Sequence, residues 1–349
     1  MNGRKRFTLR TDIMTRTTLV FTAMLLALAA AAPGATPVPL IFDTDMGNDV
    51  DDALALAMLH AFESRGECRL IAVTITKDNP WSAVFVDLVD TFYGRAQIPV
   101  GMVKGSGITP GGSPMIQVPV ERKRPNGSLA YPRRIASGAE APDSVALLRR
   151  ALAAEADGTV VIVQVGFSTN LARLLDSPPD AASPLSGRDL ALRKVRLVSM
   201  MAGNFAEGRP EFNVQTDIPS AQKLFRDWPT PIVVSGYEVG SSILFPASSI
   251  QNDFGYVADH PVAEAYRNYM RMPYDRPAWD LTAALYAVRP ERGYFTLSPP
   301  GAIEVDARGV THFTPDANGR NRYLSVGEAQ RSRVLEAMTL LASQPPDWR

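Results

Sequence analysis

Cysteine is almost absent from this 349-residue chain: Cys68 stands alone, so neither an internal disulfide nor a thiolate zinc cluster can form. Histidine is nearly as scarce. His60, His260 and His312 are far apart and none has a partner at metal-ligand spacing, which argues against zinc chemistry and against a Ser-His-Asp hydrolase. Charge of either sign is in no excess, with 36 Lys and Arg against 36 Asp and Glu, so nucleic acid is not an expected partner. No linker-like break divides the middle of the chain, and one α/β domain is expected over residues 36–349.

Long apolar runs are lacking as well, with one exception. Arg4, Lys5, Arg6, Arg10 and Arg16 precede LVFTAMLLALAAAA, and small residues follow up to Ala35. That is the layout of a secretory signal peptide over residues 1–35, and it predicts export, periplasmic or secreted, with no membrane association once cleaved. The run is short for a membrane span, although an uncleaved anchor is the alternative. Without this segment, which holds five basic residues and one acid, Asp12, the 36 and 36 become 31 against 35, a net charge of −4.

What the chain does have is acid in one place. Residues 38–62 read VPLIFDTDMGNDVDDALALAMLHAF. The apolar run Val38 to Phe42 predicts a buried strand, and Ala53, Leu54, Ala57, Met58 and Phe62 recur at helical spacing. Between them stand Asp43, Asp45, Asp49, Asp51 and Asp52, with Gly47 free to bend sharply. A strand, acidic loop and helix place this loop where ligands bind in open α/β sheets, beyond a strand's carboxyl end. Five carboxylates in ten residues repel one another, and a hard divalent cation is the natural counter-charge. Asp49 or Asp51 alone has a plainer explanation as a helix cap. The EF-hand pattern fails, since counting from Asp43 puts Asn48 and Leu54 where Gly and Glu are needed.

Further elements follow in order. Residues 69–76 and Thr159 to Val165 read as buried strands, as do Val195 to Met201 and Ile232 to Ser235, with a short one at Pro99 to Met102. Helices are expected over Trp81 to Tyr93, from Asp143 or Ser144 through Ala153, and from Asp217 through Leu224. Residues 105–142 hold many Gly, Pro and Ser with little periodicity, and read as a mobile loop near the site mouth with solvated basic residues. A hairpin over 302–313 and a closing helix over 326–342 complete the chain.

The segment IFDTDMGNDVDDALALAML resembles the N-terminal signature D-[TC]-D-P-G-x-D-D-A-x-A of the inosine-uridine preferring nucleoside hydrolase family. It departs by having Met46 for Pro and two extra residues between Gly47 and the paired Asp51-Asp52. Later blocks agree in kind and order: GFSTNLA at 166–172 resembles G-[PA]-L-T-N-[LI]-A, Glu211-Phe212-Asn213 matches E-F-N, and Trp279-Asp280-Leu281-Thr282-Ala283 resembles H-D-x-x-A. The resemblance implies an α/β fold, a Rossmann-like open sheet, mostly parallel, with helices on both faces. It also implies hydrolysis of an N-glycosidic bond in a ribonucleoside, and commonly a homodimer or homotetramer.

Carried over residue by residue, the resemblance gives Ca2+ to Asp45, Asp52, Asp280 and the Thr169 main-chain carbonyl, with Asp45 as catalytic base. It gives ribose to Asp51, Asn204, Glu211, Asn213 and Asp280, places Asn79 near the nucleoside, and leaves open whether Asp49 replaces Asp51. The family's histidine is Trp279 here, so proton delivery to the leaving base is unassigned and Trp279 is a candidate to stack on the base instead. Tyr237 and Glu238 are further candidates for the pocket wall. Two other readings compete: an exported nucleoside-binding protein without turnover, and a haloacid dehalogenase-type phosphatase. The latter shares the strand followed by D-x-D at Asp43 and Asp45, but has Gly47 where Thr or Val is expected.

Overall fold

Near-continuous apolar segments become the inner strands of one sheet in the computed structural model, which describes residues 1, 3, 36–105, 111 and 113–347. The expected signal peptide, but for Met1 and Gly3, lies outside the described residues. Six strands, β1 (Val38–Thr44), β2 (Cys68–Ile75), β3 (Val100–Met102), β4 (Val160–Gln164), β5 (Val195–Met201) and β6 (Ile232–Ser235), run parallel in the order β3-β2-β1-β4-β5-β6. Alternate residues of β1 serve two different cores, Leu40 and Phe42 one, Ile41 the other, because the strand period is two and both faces are covered. Helices Asp51–Ser64, Ser82–Phe92, Trp279–Val288 and Glu328–Ala342 supply the first core. Helices Ser144–Ala154, Thr169–Asp176, Gly187–Lys194 and Ile218–Asp227 supply the second.

Beyond β6 the chain forms a small pair, β7 (Leu244–Phe245) with β8 (Arg276–Pro277), then β9 (Thr296–Leu297), β10 (Gly301–Val305), β11 (Thr311–Pro315) and β12 (Asn321–Ser325). The expected hairpin is β10 with β11. Not foreseen is β12, which returns parallel to β6 and joins that hairpin to the main sheet. Among the described residues no helix is long and apolar enough to cross a membrane.

The segment 105–142 differs from the expected mobile loop. Its described residues include a helix, Pro114–Glu121, whose Met115 and Ile116 are buried. Two of the basic residues expected to be solvated tie the segment down while staying partly exposed: Arg122 pairs with Asp259 and Glu264, and Arg134 with the buried Asp87. Ion pairing to carboxylates distant in sequence leaves no trace in local periodicity.

The strand order reverses between β1 and β4, the switch point where two successive crossovers diverge and leave a crevice. Both strands end there, and their exits nearly touch. A Cβ on Gly166, just past β4, would stand 2.6 Å from the Asp45 nitrogen and 2.6 Å from Thr76 Oγ1. Glycine is required there so that the two backbones can approach. Gly166→Ala is expected to cost about 1–3 kcal/mol of stability, read as a lowered urea midpoint at unchanged slope. A midpoint equal to that of the parent chain would show that the exits are not packed this closely.

Candidate functional site

The five aspartates at the end of β1 and in the loop and helix start after it divide by what they touch. Asp43, the last inward residue of the strand but one, accepts from Thr74 Oγ1 (2.5 Å) and Asn170 Nδ2 (2.8 Å), tying β1 to β2 and to the helix after β4. Burial pushes its carboxyl up to about 7. Asp49 accepts from its neighbour Val50 N and is gripped by Arg276, whose Nε stands 2.9 Å from Oδ1. It does not cap the following helix, and it lines the same cavity as Asp51.

The remaining three, Asp45, Asp51 and Asp52, line one cavity of about 630 Å³ together with Asp280. Two helix starts place them. Asp51 and Asp52 open the Asp51–Ser64 helix, and Asp280 lies in the first turn of Trp279–Val288, donating its backbone N–H to Asp51 Oδ2 at 3.1 Å. Thr44 Oγ1 donates to Asp52, and Asn48 Nδ2 to Asp45. Lys77 reaches the group through Asn48 Oδ1. One oxygen from each of Asp51, Asp52 and Asp280 lies within 4.8 Å of the others. That spread fits one coordination sphere with oxygen ligands at about 2.3–2.6 Å. With oxygen as the only donor and no histidine or cysteine present, the residues suit a hard divalent cation.

Around this floor stand the groups expected to hold a sugar. Asn213 spends its Nδ2 on the Val165 carbonyl (2.8 Å) and leaves Oδ1 without a protein donor among the described residues. Glu211 accepts backbone N–H groups from Gly203 (2.9 Å), Asn213 (2.8 Å) and Val214 (3.2 Å), which leaves one lone pair of Oε1. Asn204 also lines the cavity, but its amide closes a turn with Glu207. The opposite wall is aromatic. Trp279 and Tyr237 lie 5.5 Å apart between ring centres, and the indole N–H donates to the Tyr237 carbonyl at 3.0 Å.

Asn79 and Thr169 are not among the cavity's lining residues. Asn79 donates to the Gly111 carbonyl and accepts from Trp81 N, the turn chemistry that also explains an asparagine before proline. Thr169 opens its helix and gives its hydroxyl to Asp217. Glu238 likewise turns away, accepting from Phe205 N. Among the carboxylates, the geometry groups Asp51 with Asp52 and Asp280. Sequence reasoning missed Asn48, Arg276 and Tyr269. Arg276 stands three residues before Trp279, and its only signal is that of a lone cation among aromatics.

A family model for inosine-uridine preferring nucleoside hydrolases matches residues 40–338. The chain belongs to that family. Its members are N-glycosyl hydrolases, and this chain is one, which sets the phosphatase reading aside. Among solved structures, a plant nucleoside hydrolase shares 20% identity at a TM-score of 0.63, over 88% of this chain and 100% of that one. The purine-preferring ribonucleoside hydrolase of Gardnerella vaginalis shares 18% at 0.64, over 87% and 99%. The inosine-uridine preferring enzyme of Bacillus anthracis shares 16% at 0.65, over 88% and 99%. At these identities the likeness establishes the fold, which is the mostly parallel α/β sheet expected. No curated protein matches the chain.

Burial and mutual repulsion raise the carboxyls of the cluster: Asp51, Asp52 and Asp280 stand well above the ordinary aspartate value, and Asp45 is pushed up to about 6. Because these folded-state values exceed those of the unfolded chain, the folded protein binds more protons in between. Cation-free protein therefore loses stability as pH rises from about 4 to about 7. In chelator, the melting temperature should fall across that window, less steeply in Asp52→Asn, and added Ca2+ should raise it most at the high-pH end. A flat profile shared by both proteins would show that the acids are not forced together.

Proposed function

We propose that the chain hydrolyses the N-glycosidic bond of ribonucleosides to ribose and free base, with calcium as the cation at the carboxylate cluster. One observation carries this reading: acids from two helix starts and the end of β1 converge in a cavity that also holds Glu211 and Asn213. A hard divalent cation bound by Asp51, Asp52 and Asp280 supplies Lewis acidity, making a water beside it easier to deprotonate. Asp45 accepts that proton. Burial raises its carboxyl in the cation-free chain, the direction that makes a carboxylate a better proton acceptor.

The sugar is held by groups with acceptor capacity left over. Asn213 Oδ1 and the remaining lone pair of Glu211 face ribose hydroxyls, which must be paired when they leave water. Asp51 contributes its second oxygen to the same end. As the bond breaks the anomeric carbon turns cationic, and the same carboxylates lie on the side where positive charge develops. Calcium is favoured over smaller ions because three clustered carboxylates and a roomy cavity suit its larger, flexible coordination.

The test is release of free ribose from a panel of nucleosides by purified protein, with and without chelator. Turnover should vanish in chelator and return with Ca2+. Asp45→Ala should lower kcat by about 100-fold or more. Tight nucleoside binding without any sugar release would instead support the non-catalytic reading, and full turnover in Asp45→Ala would remove Asp45 as the base.

A further inference from the structure

The departing base needs help that Trp279 cannot give. Indole N–H is a donor only, and here it is already spent on the Tyr237 carbonyl at 3.0 Å. Three residues earlier in the chain, Arg276 lies along the same wall. Its guanidinium carbon sits 5.1 Å from the Trp279 ring centre and 5.0 Å from that of Tyr269. Asp49 takes Nε and Nη2, and Tyr269 Oη accepts from Nη2 at 2.9 Å. Among the described residues nothing accepts from Nη1, and Arg276 lines the cavity. A cation is thus held by three residues with two donors to spare.

Resting on the function proposed above, we propose that Arg276 is the leaving-group residue: Nη1 hydrogen-bonds an acceptor on the nucleobase and stabilises the negative charge that the base gains as it departs. The C–N bond breaks with its electron pair going to the base nitrogen. Water oxygen forms the new bond to the anomeric carbon and its proton passes to Asp45. The base leaves as an anion beside the guanidinium and takes a proton from solvent, to which Asp45 returns the one it accepted, so nucleoside and water become ribose and free base. Arg276 gives up no proton, since guanidinium stays charged at any working pH. Asp49 is the positioning residue. The ion pair holds the fork in place, and the aromatic faces on either side favour a cation there.

A group that stabilises charge developing on the base is needed only when the base holds that charge poorly. Nitrophenolate disperses its own negative charge and leaves without such help, whereas a purine or pyrimidine does not. With calcium-loaded full chain, Arg276→Met should lower kcat on nucleosides by about 100-fold or more with little change in KM, since the interaction strengthens in the transition state. The loss on nitrophenyl riboside should be at least about ten times smaller. Asp49→Asn, which loosens the clamp without removing the cation, should show the same split at smaller size and keeps the question open to test if Arg276→Met folds poorly.

Equal losses on both substrates would make Arg276 a sugar-holding or structural residue and overturn the inference while leaving the hydrolase reading intact. No loss on either would overturn it too. A parent chain inert on both substrates would remove the proposed function and this inference with it.

Discussion

Like charges buried against one another are the constraint on which the site depends. Two carboxylates about 5 Å apart repel by about 3 kcal/mol at the effective dielectric of a protein interior. Asp51, Asp52 and Asp280 form three such pairs, with Asp45 beside them. Offsetting effects are smaller. The N-termini of the two helices that carry these acids favour negative charge by about 0.3–1 kcal/mol each. Lys77 makes no ion pair with the cluster among the described residues; it bonds Asn48, and its charge only partly offsets the rise at Asp45. The repulsion wins, so the folded chain holds either extra protons or a cation at that point. The upward shifts of all four carboxyls are the proton side of that choice.

The scaffold can impose this arrangement because the acids lie where its most buried elements meet. β1 and β4 are central strands with alternate residues in two cores, and Gly166 lets their exits close on one another. Helices Asp51–Ser64 and Trp279–Val288 are buried along nearly their whole length, so their first turns cannot swing apart to relieve the charge. Asp43, tied to Thr74 and Asn170, supports the loop from behind. The D-x-D pattern therefore has two physical meanings: the first acid is a strut, and the second faces the cavity.

Much of this was legible in the sequence, and the reasons are local. Strand and helix periods flanking a burst of acids locate the β1 exit, because a buried parallel strand reads as an apolar run and a core helix as a 3.6-residue repeat. The three-residue block Glu211-Phe212-Asn213 and the aspartate at 280 could be placed only through likeness to a family. Nothing in their own spacing brings them to Asp45. What stayed hidden was partnership at a distance. Asn79 carries the right residue type, yet spends its amide on Gly111 and Trp81. Arg276 and Asp49 are separated by 227 positions, and an ion pair of that separation has no signature in local pattern. β12, which turns back beside β6, was missed for the same reason.

The cavity is electrically lopsided, and its asymmetry matches a bond that breaks by separating charge. One wall is four carboxylates and the acceptor atoms of Glu211 and Asn213. Tyr237, Trp279 and Tyr269 line the cavity too, with Arg276 against Trp279 and Tyr269 and with Arg209 a second cation at the lining. In the proposed reaction positive charge grows on the anomeric carbon and negative charge on the base, so a nucleoside with sugar toward the acids gains at both ends as the bond lengthens, and one bound in reverse loses at both. A fixed field of this kind costs no reorganisation at the moment of reaction. Its upkeep falls on the ion pair between Asp49 and Arg276, because without Asp49 the cation would be drawn toward the nearby Asp51, whose charge it already senses. The two residues by which this acidic loop exceeds its family's pattern lie in the stretch from Asn48 to Val50, and Asp49 among them keeps the opposite charges of the two walls apart.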